Sequence, residues 1–202
     1  MKAVNQHSKL NYPELTTLFF EFHGTAAGVA EQATLAEEIA EGFGADGFQW
    51  ATDAADRARL WRARHDAYWA ALALKPGHQG IATDAIVPIS RLAEAILGAQ
   101  ADIKASGLTA PIVGHVGDGN FHTVILVPPE EGGLDRAWEL DKKIVARALA
   151  LGGSCSGEHG VGLGKREFRE AEVGAEALAV MRGVKARLDP KGILTPGKSF
   201  LN

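Results

Sequence analysis

Residues 114–122 read "GHVGDGNFH" and hold two histidines, an aspartate and an asparagine among three glycines. Asp118-Gly119 is a favoured two-residue hairpin turn, because both central residues must accept positive φ. Taken as the turn, it sets Gly117 opposite Asn120, Val116 opposite Phe121 and His115 opposite His122. Directly opposed side chains share one face of the sheet, with Cβ atoms about 4.5–5.5 Å apart. Two imidazoles so placed can converge on one divalent cation. The same spacing also suits a plain polar hairpin, or one histidine hydrogen-bonded inside a core.

A second stretch, "GGSCSGEHGVGLGKREF" over 152–168, sets Glu158 and His159 in a loop rich in glycine. Glycine lets backbone approach a ligand closely. Glu158 could add a carboxylate to the two imidazoles. Two histidines and one carboxylate leave positions open on a metal, as catalytic sites do and structural ones do not. His159 would then be free to act as a base beside it. Cys155 reads as a small buried thiol rather than a ligand. The loop is no phosphate cradle. His159 stands where the Walker pattern needs its first glycine, and Arg166 where it needs Ser or Thr. It also opens no βαβ unit, which argues against a dinucleotide fingerprint.

A third stretch, "LWRARHDAYWA", puts Arg57, Trp61, Arg64 and Tyr68 on one helical stripe. Leu60, Ala63, Ala67 and Leu74 form the neighbouring core stripe. Arg64 between two aromatics suits a planar carboxylate; it could equally lie along the core edge with its head in water. Asp84 in "TDAIVP" and Lys198 in "LTPGK" read as surface charges.

Elements must carry these residues. Strands are expected over 16–24 and 47–53, with a helix between them over 26–44 on a face of Val29, Ala33, Ala36 and Ile39 or Ala40. One long helix is expected over 53–77, closed by Pro76-Gly77. A strand over 80–88 and a helix over 89–107 follow. Residues 111–129 read as two strands and a turn. A helix over 134–153 has Ala137, Leu140, Ile144, Ala148 and Leu151 inward. A last helix, over 174–190, has Ala177, Met181, Val184 and Leu188 inward. The mixture of helices and hairpin-linked strands argues against a parallel doubly wound sheet. It fits an α+β fold of two ferredoxin-like subdomains, with helices packed on one side of antiparallel sheets.

Composition sets the outer bounds. The chain has 202 residues, 46% hydrophobic and 23% charged, with a net charge of -4. That is the mix of a globular protein with a real core. It gives no electrostatic reason to expect nucleic acid or an anionic membrane as partner. A single cysteine rules out an internal disulfide. No stretch is long and apolar enough to span a membrane, so the expected location is cytoplasmic, with any membrane association made through a partner.

Six segments resemble one family in order and spacing: "TLFFEFHG", "LWRARHDAYWA", "TDAIVPISRL", "APIVGHVGDGNFH", "SGEHGVGLGKREF" and "LDPKGILTPGK". The family is the FAD-linked oxidases of the vanillyl-alcohol oxidase type. The closest branch is that of the bacterial D-lactate dehydrogenase (cytochrome) and the glycolate oxidase FAD subunit. The likeness covers almost the whole chain, and the patterns GHxGDGNxH and GEHGxGxxK are long and specific. It implies that residues 1–202 are the C-terminal cap, or substrate, domain, and that the FAD-binding domain is absent from this chain. It implies an oxidoreductase in which flavin takes hydride from a 2-hydroxy acid, giving a 2-oxo acid, and passes electrons to an acceptor. By position, it implies a divalent metal such as Zn or Mn at His115, His122 and Glu158, a base at His159 and a carboxylate contact at Arg64. The FAD itself would be held mainly by the missing domain or subunit, and this chain alone would be inactive.

Two departures refine the expectation. Asn is frequent in the family where Thr195 stands, which bears on flavin contacts at that end. Members acting on longer diacids carry a lysine near the position of Ala82 and a polar residue at that of Val124; their replacement here points to a small monoacid such as D-lactate or glycolate. Two competing readings are a non-enzymatic metal- or carboxylate-binding module, or split subunit, and a metal-dependent hydrolase. A split subunit would complete its site only with a separate flavoprotein half, and an upstream frame encoding the FAD domain would favour the dehydrogenase; the hydrolase would show metal-dependent activity without flavin.

Overall fold

The run "NFHTVILV" forms the strand on which the sheet is built. In the computed structural model, which describes residues 1–200, this strand is β4 (Asn120–Val127) and is buried from end to end. We number strands along the chain. β1 (Gln79–Ala82) and β2 (Ala85–Ile86) lie along one edge of β4 in a single register, from Gln79 opposite Val127 to Ile86 opposite Asn120. β3 (Ile112–His115) pairs with the other edge, and every pair is antiparallel. Ser154 adds one antiparallel bridge to Ile86. The order across the sheet is therefore Ser154, β1/β2, β4, β3. That is the order of a ferredoxin-like unit whose fourth strand has shrunk to a single bridge.

Helices α5 (Leu92–Ser106) and α6 (Gly133–Ala150) connect the strands. Phe121, Ile125 and Val127 of β4 share one buried cluster with Leu92, Ala95 and Ala99 of α5 and with Ala137, Leu140, Ile144 and Ala148 of α6. The inward face expected for α6 is thus the observed one. Since side chains alternate along a strand, Asn120, His122 and Val124 point away from these helices. After the loop that follows α6 comes α7 (Arg169–Leu188), kinked where Gly174 takes φ 81.

These elements belong to one of two compact units, 71–202; the other is 1–70. The first unit contains α1 (Lys2–Ser8), α2 (Ala26–Gly42) and α3 (Ala54–His65). Thr25 caps α2 by accepting from the Gly28 N–H, and Asp53 caps α3 by accepting from Ala55 and Asp56. The unit boundary falls within α4 (Ala67–Ala73).

Several expectations need correction. The long helix over 53–77 is two helices, interrupted at Asp66, whose ψ of 0 leaves the helical range. Asp competes for backbone hydrogen bonds and is poor in helix interiors. Residues 16–24 and 47–53 form no strand among the described residues. Phe20 and Phe22 stack at 6.1 Å as i and i+2 neighbours do on an extended chain, but no second edge pairs with them, and β propensity is realised only through pairing. On α7, Met181, Val184 and Leu188 are exposed and Leu178 is the buried residue, so its inward face lies one residue round from the expected one. The α+β class stands, with one ferredoxin-like unit formed. Among the described residues no helix is long and apolar enough to cross a membrane.

Candidate metal centre

The β3–β4 hairpin does not turn at Asp118-Gly119 alone. Val116–Asp118 forms a short 3-10 turn and Gly119 follows in the left-handed region at φ 77. His115 therefore pairs with Asn120, and His122 with Val113. The expected pairing of His115 with His122 is off by two residues. A shift of two keeps every side chain on its face, so the two histidines become diagonal neighbours on the same face. Their rings lie 5.8 Å apart, edge to face.

Glu158 meets them from the loop after α6. Its Oε1 lies 3.0 Å from His122 Nε2 and 3.6 Å from His115 Nε2. One ligand atom from each of the three residues falls within 4.8 Å of the others, a span one cation can bridge. His122 is nearly buried, while Glu158 is half exposed. His122 Nδ1 is 2.9 Å from the Thr83 carbonyl. A carbonyl only accepts, so Nδ1 carries a proton there, and Nε2, facing Glu158, is the nitrogen that a cation would take. That is the arrangement of a metal-binding histidine oriented by an outer partner. The residues present fit a divalent ion.

His159 stands beside this group. Its ring stacks on that of His122 with centroids 5.0 Å apart, and its Nε2 is 3.7 Å from Glu158 Oε1. Half of its side chain faces solvent.

Asp84 is not a surface charge: it is 1% exposed. It lies in the gap between β1 and β2. Oδ1 accepts from Asn120 Nδ2 at 2.8 Å. Oδ2 accepts from Ser156 Oγ at 2.7 Å, from the Glu158 N–H at 2.9 Å and from the His159 N–H at 2.8 Å. Burial pushes its pKa up, but the donors from His159, Ser156, Asn120 and Glu158 outweigh burial and hold it well below the usual carboxylate range. Lys165 closes the loop from the other end, donating to the Asp84 carbonyl and, at 2.5 Å, to that of Cys155. Gly157 has no room for a side chain, since a Cβ there would lie 1.7 Å from Asn120 Nδ2. Sequence reasoning missed the roles of Thr83, Asp84, Asn120 and Lys165. One signal was available: a lone acid inside the apolar strand run "TDAIVP" is a candidate buried charge.

Cys155 is fully buried, as expected. Burial, and then the adjacent Glu172 carboxylate, push its thiol up to about 12, which makes it a poor nucleophile at neutral pH. Arg64 is half-buried on α3, in the first unit, while the histidines and Glu158 belong to the second. Tyr68 lies beyond the break at Asp66, and Trp61 meets the His65 ring at 6.3 Å. The continuous stripe expected around Arg64 is therefore interrupted. Ala82 and Val124 are cross-strand partners, and Val124 is two residues from His122 on the same face.

A family model described as FAD linked oxidases, C-terminal domain, matches residues 1–199. A probable mitochondrial D-lactate dehydrogenase of Danio rerio is 46% identical over 199 residues, covering 98% of this chain and 40% of the relative. A mitochondrial D-lactate dehydrogenase (cytochrome) of Arabidopsis thaliana is 41% identical, covering 98% and 35%. A glycolate oxidase subunit of Escherichia coli strain K12 is 33% identical over 184 residues, covering 91% and 36%. The chain thus spans 35–40% of the length of these curated relatives.

Proposed function

The chain belongs to the FAD-linked oxidases, as their C-terminal domain, and from that premise we propose that it supplies the substrate side of a D-2-hydroxy acid dehydrogenase. The reaction is oxidation of a small 2-hydroxy acid, of the D-lactate or glycolate type, to the 2-oxo acid. The observation that carries this reading is the convergence of His115, His122 and Glu158 within 4.8 Å. His115, His122 and Glu158 would hold a divalent cation such as Zn²⁺ or Mn²⁺, which would supply Lewis acidity to lower the pKa of the substrate hydroxyl.

The residues of this chain then have separate tasks. His115 and His122 would offer imidazole nitrogens to the cation and Glu158 a carboxylate oxygen. The Thr83 carbonyl holds the His122 tautomer through Nδ1. His159 Nε2 takes the hydroxyl proton, so that hydride leaves an alkoxide rather than an alcohol. Arg64 is assigned the substrate carboxylate, as a charge-assisted hydrogen-bond donor. Ala82 and Val124 offer no charge to a second carboxylate, which supports a monoacid. FAD, the family's cofactor, is assigned mainly to a separate domain or subunit; in the 157–164 loop the Glu158 and His159 N–H groups are already taken by Asp84.

Elemental analysis tests the metal assignment. The purified chain is expected to hold about one equivalent of divalent metal, lost by more than tenfold in His115→Ala and Glu158→Ala. Equal metal content in all three proteins would overturn the assignment.

A further inference from the structure

We propose that Asp84 is a positioning residue that presets Glu158 and His159 for metal binding and proton transfer. The inference rests on the reading of the metal centre given above. Three facts carry it. First, one oxygen, Oδ2, receives the backbone N–H groups of both Glu158 and His159, and also the Ser156 hydroxyl. The consecutive residues assigned as ligand and base thus share one anchor point, which fixes their side-chain origins relative to each other. Second, the other oxygen receives Asn120 Nδ2. Asn120 pairs with His115 across the hairpin, so the same carboxylate ties the histidine hairpin to the Glu158 loop. Third, the residue before it, Thr83, holds His122 Nδ1 through its carbonyl. Glu158 and His159 are each one hydrogen bond from Asp84, and His122 and His115 are one step further, through Thr83 and Asn120.

The anchor is built from the strand interruption. Between β1 and β2 the Thr83 hydroxyl accepts from the Thr123 N–H at 2.9 Å. The strand stays pinned to β4 while Asp84 turns toward the loop. Lys165 holds the Asp84 carbonyl, so the residue is gripped at both main chain and side chain. A buried carboxylate serving only stability could take donors from anywhere. Here the donors come from the hairpin and from the ligand loop, and from both sides of the candidate centre.

The test uses the full chain and Co²⁺ as probe, with binding read from visible d–d absorption. Asp84→Asn keeps the shape but sets an amide against donors. Its Co²⁺ dissociation constant is expected to rise 10- to 100-fold, with an altered d–d band for whatever binds. Amide hydrogen exchange on the metal-free protein is the second readout. Protection at Glu158 and His159 should be lost, while that of Ile125 and Leu126 on β4 is retained. Ser156→Ala, which removes one donor from Oδ2 and leaves the strand untouched, serves if Asp84→Asn does not fold. It should weaken Co²⁺ binding severalfold. A folded Asp84→Asn protein, or a Ser156→Ala protein, with unchanged affinity and band would overturn the proposal. If the wild type binds no Co²⁺, the metal reading fails, and exchange alone decides: unchanged protection at Glu158 and His159 in the variants overturns the positioning role.

Discussion

Thr195 sits at φ 43, in the left-handed region. A β-branched side chain is strained there, whereas Asn tolerates it through its short polar group. The Asn that the family resemblance leads one to expect at this position would therefore have a backbone reason, before any contact with flavin is considered. Thr195→Asn is expected to stabilise the chain by about 1 kcal/mol, read as a higher urea midpoint at unchanged slope. No change would mean that Thr195 holds its turn without strain. The same scale shows what a sequence can and cannot carry. His115, His122 and Glu158 were legible because their side chains are uncommon, ligand-forming and clustered. Asp84 was not, because its meaning depends on donors at Asn120, Ser156, Glu158 and His159. Those donors lie 36 to 75 residues away along the chain.

At the scale of elements, the β3–β4 hairpin has the least freedom. Gly119 combines φ 77 with a close approach: a Cβ there would lie 2.1 Å from the Val87 carbonyl oxygen. That carbonyl belongs to the strand edge onto which the turn folds, and the Val87 N–H donates to the Gly119 oxygen at 3.0 Å. Gly119→Ala is expected to cost about 3 kcal/mol or more. Denaturant unfolding would show it, and a loss under about 1 kcal/mol would mean the turn can relax. The sequence carried the glycine signal but not the turn type. Asp-Gly as a two-residue turn and Gly119 as the end of a 3-10 turn use the same residues. Only the Val87 contact selects the second. Likewise, α6 was legible from its periodic apolar face, while residues 16–24 had strand composition and no partner edge to realise it.

For the molecule as a whole, Asp84 and Glu172 shape part of the response to acid. Burial pushes both pKa values up, but hydrogen bonds at Asp84, and hydrogen bonds with the Arg169 charge at Glu172, win, so each is lower in the folded state than its ordinary value, whereas burial raises that of Asp141. For such groups the stabilisation is present above the unfolded pKa, about 4 for carboxylates, and is lost as pH falls through that value toward the folded one. Stability should therefore fall steeply below about pH 4, and less steeply in Asp84→Asn. Urea titrations between pH 3 and pH 7 check this; parallel profiles for the two proteins would contradict it. The fold class was legible at this scale because the order of helices and strands in 71–202 follows directly from hydrophobic periodicity. The division at residue 70 left no trace in composition, since the boundary falls inside a helix.

The single bridge at Ser154 has a further consequence. In a complete four-stranded unit the residues after Ser154 would continue the ladder along β2, with alternate N–H groups committed to backbone. Here the strand stops, and the N–H groups of Cys155, Ser156, Glu158 and His159 are all taken by side chains instead. The sheet gives up an edge strand so that its backbone can grip carboxylates. A related domain whose last strand ran on past Gly157 would have the more regular sheet and no room for this loop.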